Sequence, residues 1–249
     1  LPISSSGHLA ILNNLFGMTT TENGHMFFDV LLHLGTLISI CIVYWQDIVD
    51  MFYEVLAFAN LGPRAGERQE RYPAARLFFM IVLATLPLFL ILPINDMLEG
   101  LYYNNVFIGM ALILTGAMLY VSDKMKPGRK NENSMTVWDA LIIGLCQCVA
   151  TIPGLSRSGT TIAAGMATGL DRSFAVRFSF LMSLPAVLGA NILSLADAVR
   201  EGIDMQYMPA YLIGTAVAMV SGIGAISLLK YISKNSKFGG FAYYCWVAG

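Results

Sequence analysis

The sequence predicts an all-α polytopic membrane protein with about six transmembrane helices and two re-entrant helical hairpins. Hydrophobic residues make up 56% of the 249 residues and charged residues 12%, whereas a typical soluble domain has about 25% charged residues. The mean hydropathy is +0.64. Long apolar stretches recur along the chain, and turns rich in Pro, Gly and Ser interrupt two of them. These observations together place the chain among membrane proteins.

The charge balance and the cysteines exclude other classes of protein. The formal net charge is −1, and no basic block is long enough to bind a nucleic acid. The four cysteines lie in apolar stretches without a CxxC pair, so we expect reduced thiols and neither disulfides nor a zinc site; they are Cys41, Cys146, Cys148 and Cys245. The chain opens at Leu1 inside a motif and ends in a short apolar segment. We therefore expect one integral membrane domain, residues 1–249, truncated at both ends.

The apolar segments define the spans. A membrane-spanning helix needs roughly 20 mostly apolar residues. Pro87 and Pro185 lie inside two of the candidate segments and are expected to kink these helices without ending them. The amphipathic stretch Gln46–Ala59 predicts an interfacial helix. The candidate spans are 26–45, 76–93, 106–122, 174–198 and 209–231, with an incomplete sixth from about 238.

Residues 1–17 and 137–170 are apolar stretches that do not form simple spans. Turns rich in Pro, Gly and Ser interrupt both, and the second contains the turn Pro153–Thr161. Broken helices at membrane depth occur only where protein buries them or where they line a wet cavity. We therefore predict that these two stretches form re-entrant hairpins.

Basic residues predict the orientation. They cluster in some loops and are almost absent from residues 18–25, 94–105 and 199–208. By the positive-inside rule the basic loops are cytoplasmic. The pattern is consistent only if residues 137–170 leave the cytoplasmic side and return to it. The basic residues concerned are Arg64, Arg68, Arg71, Arg76, Lys124, Lys126, Arg129, Lys130, Arg172, Arg177, Lys230, Lys234 and Lys237.

Two similar motifs predict an internal repeat, with one copy in residues 1–122 and the other in residues 137–249. Pro2–Gly7 and Pro153–Gly159 both contain a Pro followed by Ser-x-Ser-Gly. The copies face opposite sides of the membrane, which is typical of an inverted-topology repeat whose broken tips meet near the bilayer midplane. Chance similarity of short Ser/Gly turns is the alternative. Downstream, Phe28, Leu31 and Leu34 match Phe178, Leu181 and Leu184 at a constant offset.

Arg157 is the only Lys or Arg inside an apolar segment away from the loops. Burying it costs about 2.5–3.5 kcal/mol, so such a residue usually faces a cavity on a functional pathway. A helix N-terminus with hydroxyls and a guanidinium is a ready site for phosphate. The alternative is an arginine paired with a buried carboxylate. The hydroxyls around Arg157 belong to Ser156, Ser158, Thr160 and Thr161.

Ser4, Ser5, Ser6 and His8 form a second cluster. Ser5 and His8 are three residues apart and therefore share one face of a helix start. A hydroxyl beside an imidazole is a nucleophile with its proton carrier, or a phosphate ligand with an acid. Plain helix capping, with His8 as a packed polar residue, is the alternative. The repeat favours a functional site, because it places this cluster beside Arg157.

Three further polar residues lie near these clusters. Asp29 and His33 are four residues apart at the start of a span, where they support the site or form a helix-end hydrogen bond; the second interpretation is favoured. Gln147 lies one short helix before Arg157, where it lines a cavity or satisfies the backbone.

Residues 1–9 and 153–161 resemble the two signatures of the undecaprenyl-diphosphatase family, the bacterial bacitracin-resistance membrane phosphatases, and Phe28–Thr36 is similar to that family as well. The resemblance covers essentially the whole chain. It implies hydrolysis of undecaprenyl diphosphate to the monophosphate and inorganic phosphate, which recycles the carrier lipid for cell-wall synthesis. It also implies a multi-pass protein of the bacterial plasma membrane. Bacitracin acts on the same lipid, and a homodimer is an open alternative.

The same resemblance implies roles for individual residues. Ser5 would be the nucleophile or a phosphate contact, His8 the acid or base, and Arg157 the diphosphate clamp, with Ser156 and Thr161 as supporting hydroxyls. The family places glutamates just before the first signature, where they are tied to use of a divalent cation, Mg²⁺ or Ca²⁺. That segment would precede Leu1, so the metal ligands stay unassigned and this chain alone is expected to be inactive or impaired.

Other functions share some of these features. An anion transporter or polyprenyl-phosphate flippase is the main alternative, because inverted repeats with broken midplane helices are typical of transporters. The Ser/His pair distinguishes the two functions, because binding alone requires no base. Acid-phosphatase-like lipid phosphatases also use Ser-Gly-His and Ser-Arg, but they need a histidine after the arginine, and none follows Arg157.

Overall fold

The described part of the chain is almost entirely helical. The computed structural model describes residues 1–16, 24–61, 72–91, 93, 100–201, 205–235 and 238–249. Those residues contain no β-strand beyond an isolated bridge between Lys130 and Leu170. The helices are α1 (Ser5–Phe16), α2 (Gly24–Val43), α3 (Trp45–Phe58), α4 (Pro73–Thr85), α5 (Asn105–Lys124), α6 (Val137–Val149), α7 (Arg157–Ala167), α8 (Arg172–Glu201), α9 (Met208–Asn235) and α10 (Gly239–Ala248).

Four helical stretches are long and apolar enough to cross a membrane: Pro73–Leu90, Asn105–Lys124, Arg172–Ala196 and Met205–Lys234. A fifth candidate is the pair α2 and α3, which bends by 75° at Tyr44. Helix α10 has ten residues in the structure. The predicted all-α membrane fold is therefore confirmed, whereas the predicted number of six spans is not.

The outward faces of these helices are apolar. On α9 the side chains of Leu212, Ile213, Val217 and Val220 are all exposed. Such a continuous exposed apolar stripe is unfavourable in water and is expected where lipid covers the surface. The surface chemistry thus agrees with the membrane class that the composition predicts.

The second predicted span differs from its expected form. Pro87 lies within it, and the α-helix ends at Thr85 and continues as a 3₁₀-helix over Leu86–Leu90. Proline lacks an N–H group and disfavours α-helical geometry at the residue before it. The helical span therefore continues past Pro87 to Leu90, as expected, but with 3₁₀ instead of α geometry, whereas α8 continues as an α-helix through Pro185.

Helix α3 is amphipathic, as the sequence predicts for Gln46–Ala59. It begins one residue earlier, at Trp45, and it buries Met51 and Glu54. The Glu54 carboxylate accepts hydrogen bonds from the backbone N–H groups of Ala74 (2.7 Å) and Ala75 (3.1 Å). It therefore caps the N-terminus of α4, where free N–H groups and the helix dipole favour a negative charge.

Helices α6 and α7 form a hairpin whose two ends meet at Lys130. The Lys130 ammonium contacts both carboxylate oxygens of Asp139, in the first turn of α6, at 2.9 Å. The Lys130 backbone bonds to Gly169 and Asp171, just after α7. Because α6 starts where α7 ends, the hairpin returns to the side from which it enters, as predicted for a re-entrant segment. Each arm is also shorter than the roughly 20 residues that a span needs.

Several helix ends meet on the face predicted to be cytoplasmic. Arg172 pairs with Asp123 at the end of α5, and Arg177 of α8 pairs with Asp47 of α3. The Lys230 ammonium of α9 lies 4.9 Å from the ring centroid of Tyr44. These contacts bring charged residues of four helices, α3, α5, α8 and α9, to one side, consistent with the positive-inside pattern. Arg64, Arg68, Arg71 and Lys237 lie outside the described residues.

Candidate functional site

The first tip is the turn Pro2–Gly7 that opens α1. Ser4 has a φ angle of 62°, a left-handed conformation that is rare for a residue other than glycine. Its hydroxyl accepts a hydrogen bond from the Gly7 N–H at 3.2 Å, the pattern of an N-cap serine. A strained conformation at the start of a helix is typical of sites whose surroundings hold the backbone in place.

The second tip, Pro153–Gly159, opens α7 in the same way. The Ser156 hydroxyl accepts from the Gly159 N–H at 3.1 Å. In each tip the capping serine lies 3.4 Å from the serine two residues later: Ser4 from Ser6, and Ser156 from Ser158. The two Ser-x-Ser-Gly motifs thus form the same hydrogen bonds, which supports their alignment. The extent of the two repeats stays a prediction.

The two tips are in direct contact. The Ser4 hydroxyl donates to the Leu155 carbonyl at 3.4 Å. A Cβ atom on Gly7 would lie 3.0 Å from the Gly154 Cα, and a Cβ on Gly159 would lie 3.3 Å from the Pro2 carbonyl oxygen. Because the tips pack backbone against backbone, the first turns of α1 and α7 begin beside each other, as the repeat predicts.

Helix α5 holds the second tip in position. The Thr115 hydroxyl, fully buried, accepts from the Ser156 N–H at 3.1 Å and lies 3.5 Å from the Gly154 carbonyl oxygen. Gly154 has a φ of 90°, and a Cβ there would lie 2.7 Å from the Ile108 carbonyl oxygen. The turn therefore requires glycine for both its conformation and its contact with α5.

Arg157 is the first residue of α7 and is partly buried. Asp139, the one carboxylate in its apolar segment, is bound to Lys130 and caps α6 together with Thr136. Among the described contacts, the Arg157 guanidinium forms no ion pair or hydrogen bond. The alternative of a buried structural ion pair therefore gains no support, and the guanidinium is available to an anion.

His8 is held through both ring nitrogens. Nδ1 lies 2.7 Å from the Ser4 carbonyl oxygen and Nε2 lies 2.8 Å from the Tyr244 hydroxyl. Among the described contacts no hydrogen bond joins Ser5 to His8, although the sequence places them on one face of the helix, and Ser5 is exposed. The catalytic roles of these two residues stay predictions.

The other hydroxyls divide into two groups. Ser4, Ser156 and Thr161 are buried and bonded within the protein. The Thr161 hydroxyl donates to the Arg157 carbonyl at 2.8 Å and lies 2.6 Å from the Ser179 hydroxyl. The hydroxyls of Ser4, Ser156 and Thr161 therefore stabilise the two tips. Ser5 is exposed, and Ser6 and Ser158 are partly buried, so their hydroxyls are open to a ligand.

Two buried polar side chains near the second tip have no hydrogen-bond partner in the described structure. Gln147 of α6 is 1% exposed, and neither its amide nitrogen nor its amide oxygen is bonded. The Thr160 hydroxyl, in the first turn of α7, is also buried without a hydrogen-bond partner in the described structure. Unsatisfied groups of this kind are costly and are commonly completed by water, an ion or a ligand. Both residues therefore stay candidates for contact with a substrate.

The predicted Asp29–His33 pair is not resolved by the structure. Both residues belong to α2, and His33 is exposed. The Asp29 side chain lies outside the described part of the chain. Their role stays a prediction.

The residues at the tips do not fit a divalent cation. Mg²⁺ and Ca²⁺ prefer carboxylate and carbonyl oxygens, whereas the side chains gathered here are hydroxyls, an imidazole and a guanidinium. Within the described residues, no group of three or more His, Cys, Asp or Glu side chains forms a metal site.

Sequence reasoning missed two residues of the site, Thr115 and Tyr244. Both lie in segments that the sequence presents only as apolar spans, and their partners are 41 and 236 residues away in sequence. The one available signal is a hydrogen-bonding side chain inside an apolar stretch. Such a group needs a partner in the membrane interior.

Comparison with known proteins shows the family to which the chain belongs. The bacitracin resistance protein BacA family matches residues 1–249. Undecaprenyl-diphosphatases from Halothermothrix orenii and Methanosphaera stadtmanae are 36% and 35% identical; each alignment covers all of this chain, and 89% and 90% of the relatives. The one from Desulforapulum autotrophicum is 38% identical over all of this chain and 90% of its own length. The chain therefore belongs to the bacitracin resistance protein BacA family.

Proposed function

We propose that this protein hydrolyses undecaprenyl diphosphate to undecaprenyl phosphate and inorganic phosphate at the two tips. The relatives described above carry the name of this activity. The observation in the fold that supports it best is the contact of Ser4 with Leu155. This contact brings two helix N-termini, Ser5 and Arg157 to one place.

Anion binding follows from the charges at the tips. Each helix N-terminus presents unpaired N–H groups and about half a positive charge. Arg157 adds a full charge with no carboxylate bound to it in the described structure. A guanidinium binds phosphate oxygens bidentately. A diphosphate placed between the tips would therefore be held by α1, α7 and Arg157, and these groups also stabilise charge on the phosphoryl group during transfer.

Hydrolysis also needs a nucleophile and a proton acceptor. In the reaction the bond from the terminal phosphorus to the bridging oxygen breaks, undecaprenyl phosphate leaves, and the proton of the nucleophile passes to a base. Ser5 is one candidate nucleophile, and the phosphoserine that it forms is then hydrolysed by water to release inorganic phosphate; direct attack by water is the other. His8 is the candidate base, because its Nδ1 donates to the Ser4 carbonyl, which leaves the lone pair of the neutral ring on Nε2. The flippase alternative assigns no function to this base.

The cation and the cellular setting rest on the family resemblance. The resemblance implies a divalent cation, Mg²⁺ or Ca²⁺, and we propose that the reaction depends on one. We also propose that this multi-pass protein resides in the bacterial plasma membrane and confers resistance to bacitracin by recycling the lipid on which bacitracin acts. A homodimer is compatible with the exposed apolar helix faces.

The experiment that tests the function separates hydrolysis from transport. The full-length protein is reconstituted into vesicles with undecaprenyl diphosphate in one leaflet only, and inorganic phosphate and lipid sidedness are measured together. Hydrolysis predicts one phosphate per lipid consumed, lost on removal of divalent cations. Movement of intact diphosphate between leaflets without phosphate release would support the flippase alternative instead.

A further inference from the structure

We propose that Tyr244 is a catalytic residue of this site, which holds His8 in one tautomer and passes protons between the nucleophile and His8 Nε2. The inference deepens the proposed phosphatase function and rests on it. Tyr244 belongs to α10 and lies outside both tip motifs.

The hydrogen bonds determine the tautomer of His8. A backbone carbonyl only accepts, so the nitrogen 2.7 Å from the Ser4 oxygen, Nδ1, must carry the proton. In a neutral imidazole the lone pair is then on Nε2. The contact of 2.8 Å to Tyr244 is therefore an O–H···N bond in which the tyrosine donates. Two bonds on opposite sides of the ring also restrain its rotation.

Tyr244 is 46% exposed, and stacking on His8 together with the contacts of its helix positions it. Its ring lies nearly parallel to the imidazole, with centroids 5.6 Å apart and an interplanar angle of 11°. Helix α10 is anchored on α5 by Trp246, whose indole N–H donates to the Ile113 carbonyl at 3.2 Å. Cys245, the residue that follows Tyr244, is fully buried. The hydroxyl is thus presented by a packed helix, which can position it precisely.

This arrangement implies a route for the proton. Tyr244 occupies the one lone pair of neutral His8, so a nucleophile cannot donate to Nε2 while that bond exists. The phenol oxygen still has a lone pair of its own. When the nucleophile attacks phosphorus, its proton moves to the Tyr244 oxygen while the tyrosine proton moves to Nε2. The nucleophile loses one proton, tyrosine stays neutral and His8 becomes the imidazolium.

The kinetic test uses Tyr244→Phe, which keeps the ring and removes the hydroxyl, in the full-length protein with undecaprenyl diphosphate. We expect kcat to fall about 10- to 100-fold with KM within about twofold, less than the roughly 10²- to 10⁴-fold loss for removal of the base itself. Tyr243→Phe is the matched control, because Tyr243 packs against Tyr120 and Trp246 through its ring. Its kcat should equal that of the wild type.

A double-mutant cycle shows whether Tyr244 acts through His8. In a His8→Asn background, Tyr244→Phe should cause no further loss, because residues that act as one unit are not additive. An equal fold-loss in both backgrounds, or a faster Tyr244→Phe enzyme, would overturn the proposal. Absence of phosphate release from the wild type would instead refute the phosphatase function.

A measurement independent of activity is the ¹⁵N spectrum of histidine-labelled protein. The chain has three histidines, and the His8 signals are those lost in His8→Asn. We expect a protonated Nδ1 and an unprotonated Nε2 that accepts a hydrogen bond. In Tyr244→Phe the Nε2 resonance should move downfield as it loses this bond, and in Tyr243→Phe it should not move. An unchanged Nε2 resonance in Tyr244→Phe would contradict the inference.

Discussion

The hydroxyl of Ser4 donates a hydrogen bond to the carbonyl of Leu155, and this bond joins two turns that lie 151 residues apart in sequence. Ser4 adopts a left-handed conformation and also receives the Gly7 N–H. One residue therefore caps α1 and fixes it against the second tip. The consequence is that α1 and α7 present their N-termini to the same place, where Arg157 and Ser5 begin the two helices.

The contact between the tips predicts a strong effect of Gly154→Ala. An alanine there is strained by the φ of 90°, and its Cβ would clash with the Ile108 carbonyl oxygen. We expect a loss of about 1–3 kcal/mol in stability and a fall in kcat as the second tip shifts. Thermal unfolding in detergent and phosphate release measure the two effects. Gly189→Ala is the control, because a Cβ on Gly189 meets nothing within 4 Å; a Gly154→Ala protein as stable as this control would refute the packing described.

The hairpin predicts that both of its ends are reached from one side of the membrane. In a background without the native cysteines, we introduce Asn133→Cys before α6 and Ala167→Cys at the end of α7, both at exposed positions. An impermeant thiol reagent should label both from the cytoplasmic face. Met205→Cys, exposed between α8 and α9, should be labelled from the opposite face. Labelling of Asn133→Cys and Ala167→Cys from opposite sides would show that the segment crosses the membrane.

Much of this architecture could be predicted, because residues that a plain membrane-spanning helix does not tolerate show where the chain departs from a simple span. Arg157 and the Pro153–Thr161 turn indicated the hairpin, since neither is tolerated in a plain span. The change from α-helix to 3₁₀-helix after α4 was missed. Pro87 disrupts α-helical geometry locally, but a 3₁₀-helix continues the same span. Thr115 and Tyr244 were missed because their contacts arise from packing between distant helices. Composition and periodicity carry no information about such pairs.

Thr115 is predicted to stabilise the second tip from α5. Thr115→Val removes the acceptor of the Ser156 N–H, and a buried unpaired donor costs about 1–3 kcal/mol. We expect a lower unfolding temperature and a reduced kcat. Thr36→Val is the control, because the Thr36 hydroxyl is bound only to Leu32 within its own helix. Equal effects of the two substitutions would show that Thr115 has no special role.

Gln147 is predicted to contact the substrate, because its buried amide has no partner in the described structure. Gln147→Leu should leave the unfolding temperature unchanged or raise it, since it removes an unsatisfied polar group. KM should rise about two- to tenfold, which corresponds to the loss of one hydrogen bond to the substrate, about 0.5–1.5 kcal/mol. Steady-state kinetics are compared with Gln46→Leu, whose amide bonds to Asp50 on an exposed surface. An unchanged KM in Gln147→Leu would remove this residue from the site.

The central claim is that Arg157 stabilises the phosphoryl group during hydrolysis, and single-turnover phosphate release at saturating lipid tests it most directly. The full-length wild type is compared with Arg157→Ala, with Arg157→Lys, which keeps the charge without the planar fork, and with Arg129→Ala, which removes an exposed arginine of a basic loop. We predict a loss of about 10²- to 10³-fold for Arg157→Ala, a smaller loss for Arg157→Lys, and none for Arg129→Ala. A rate for Arg157→Ala within about twofold of the wild type would contradict the site described here.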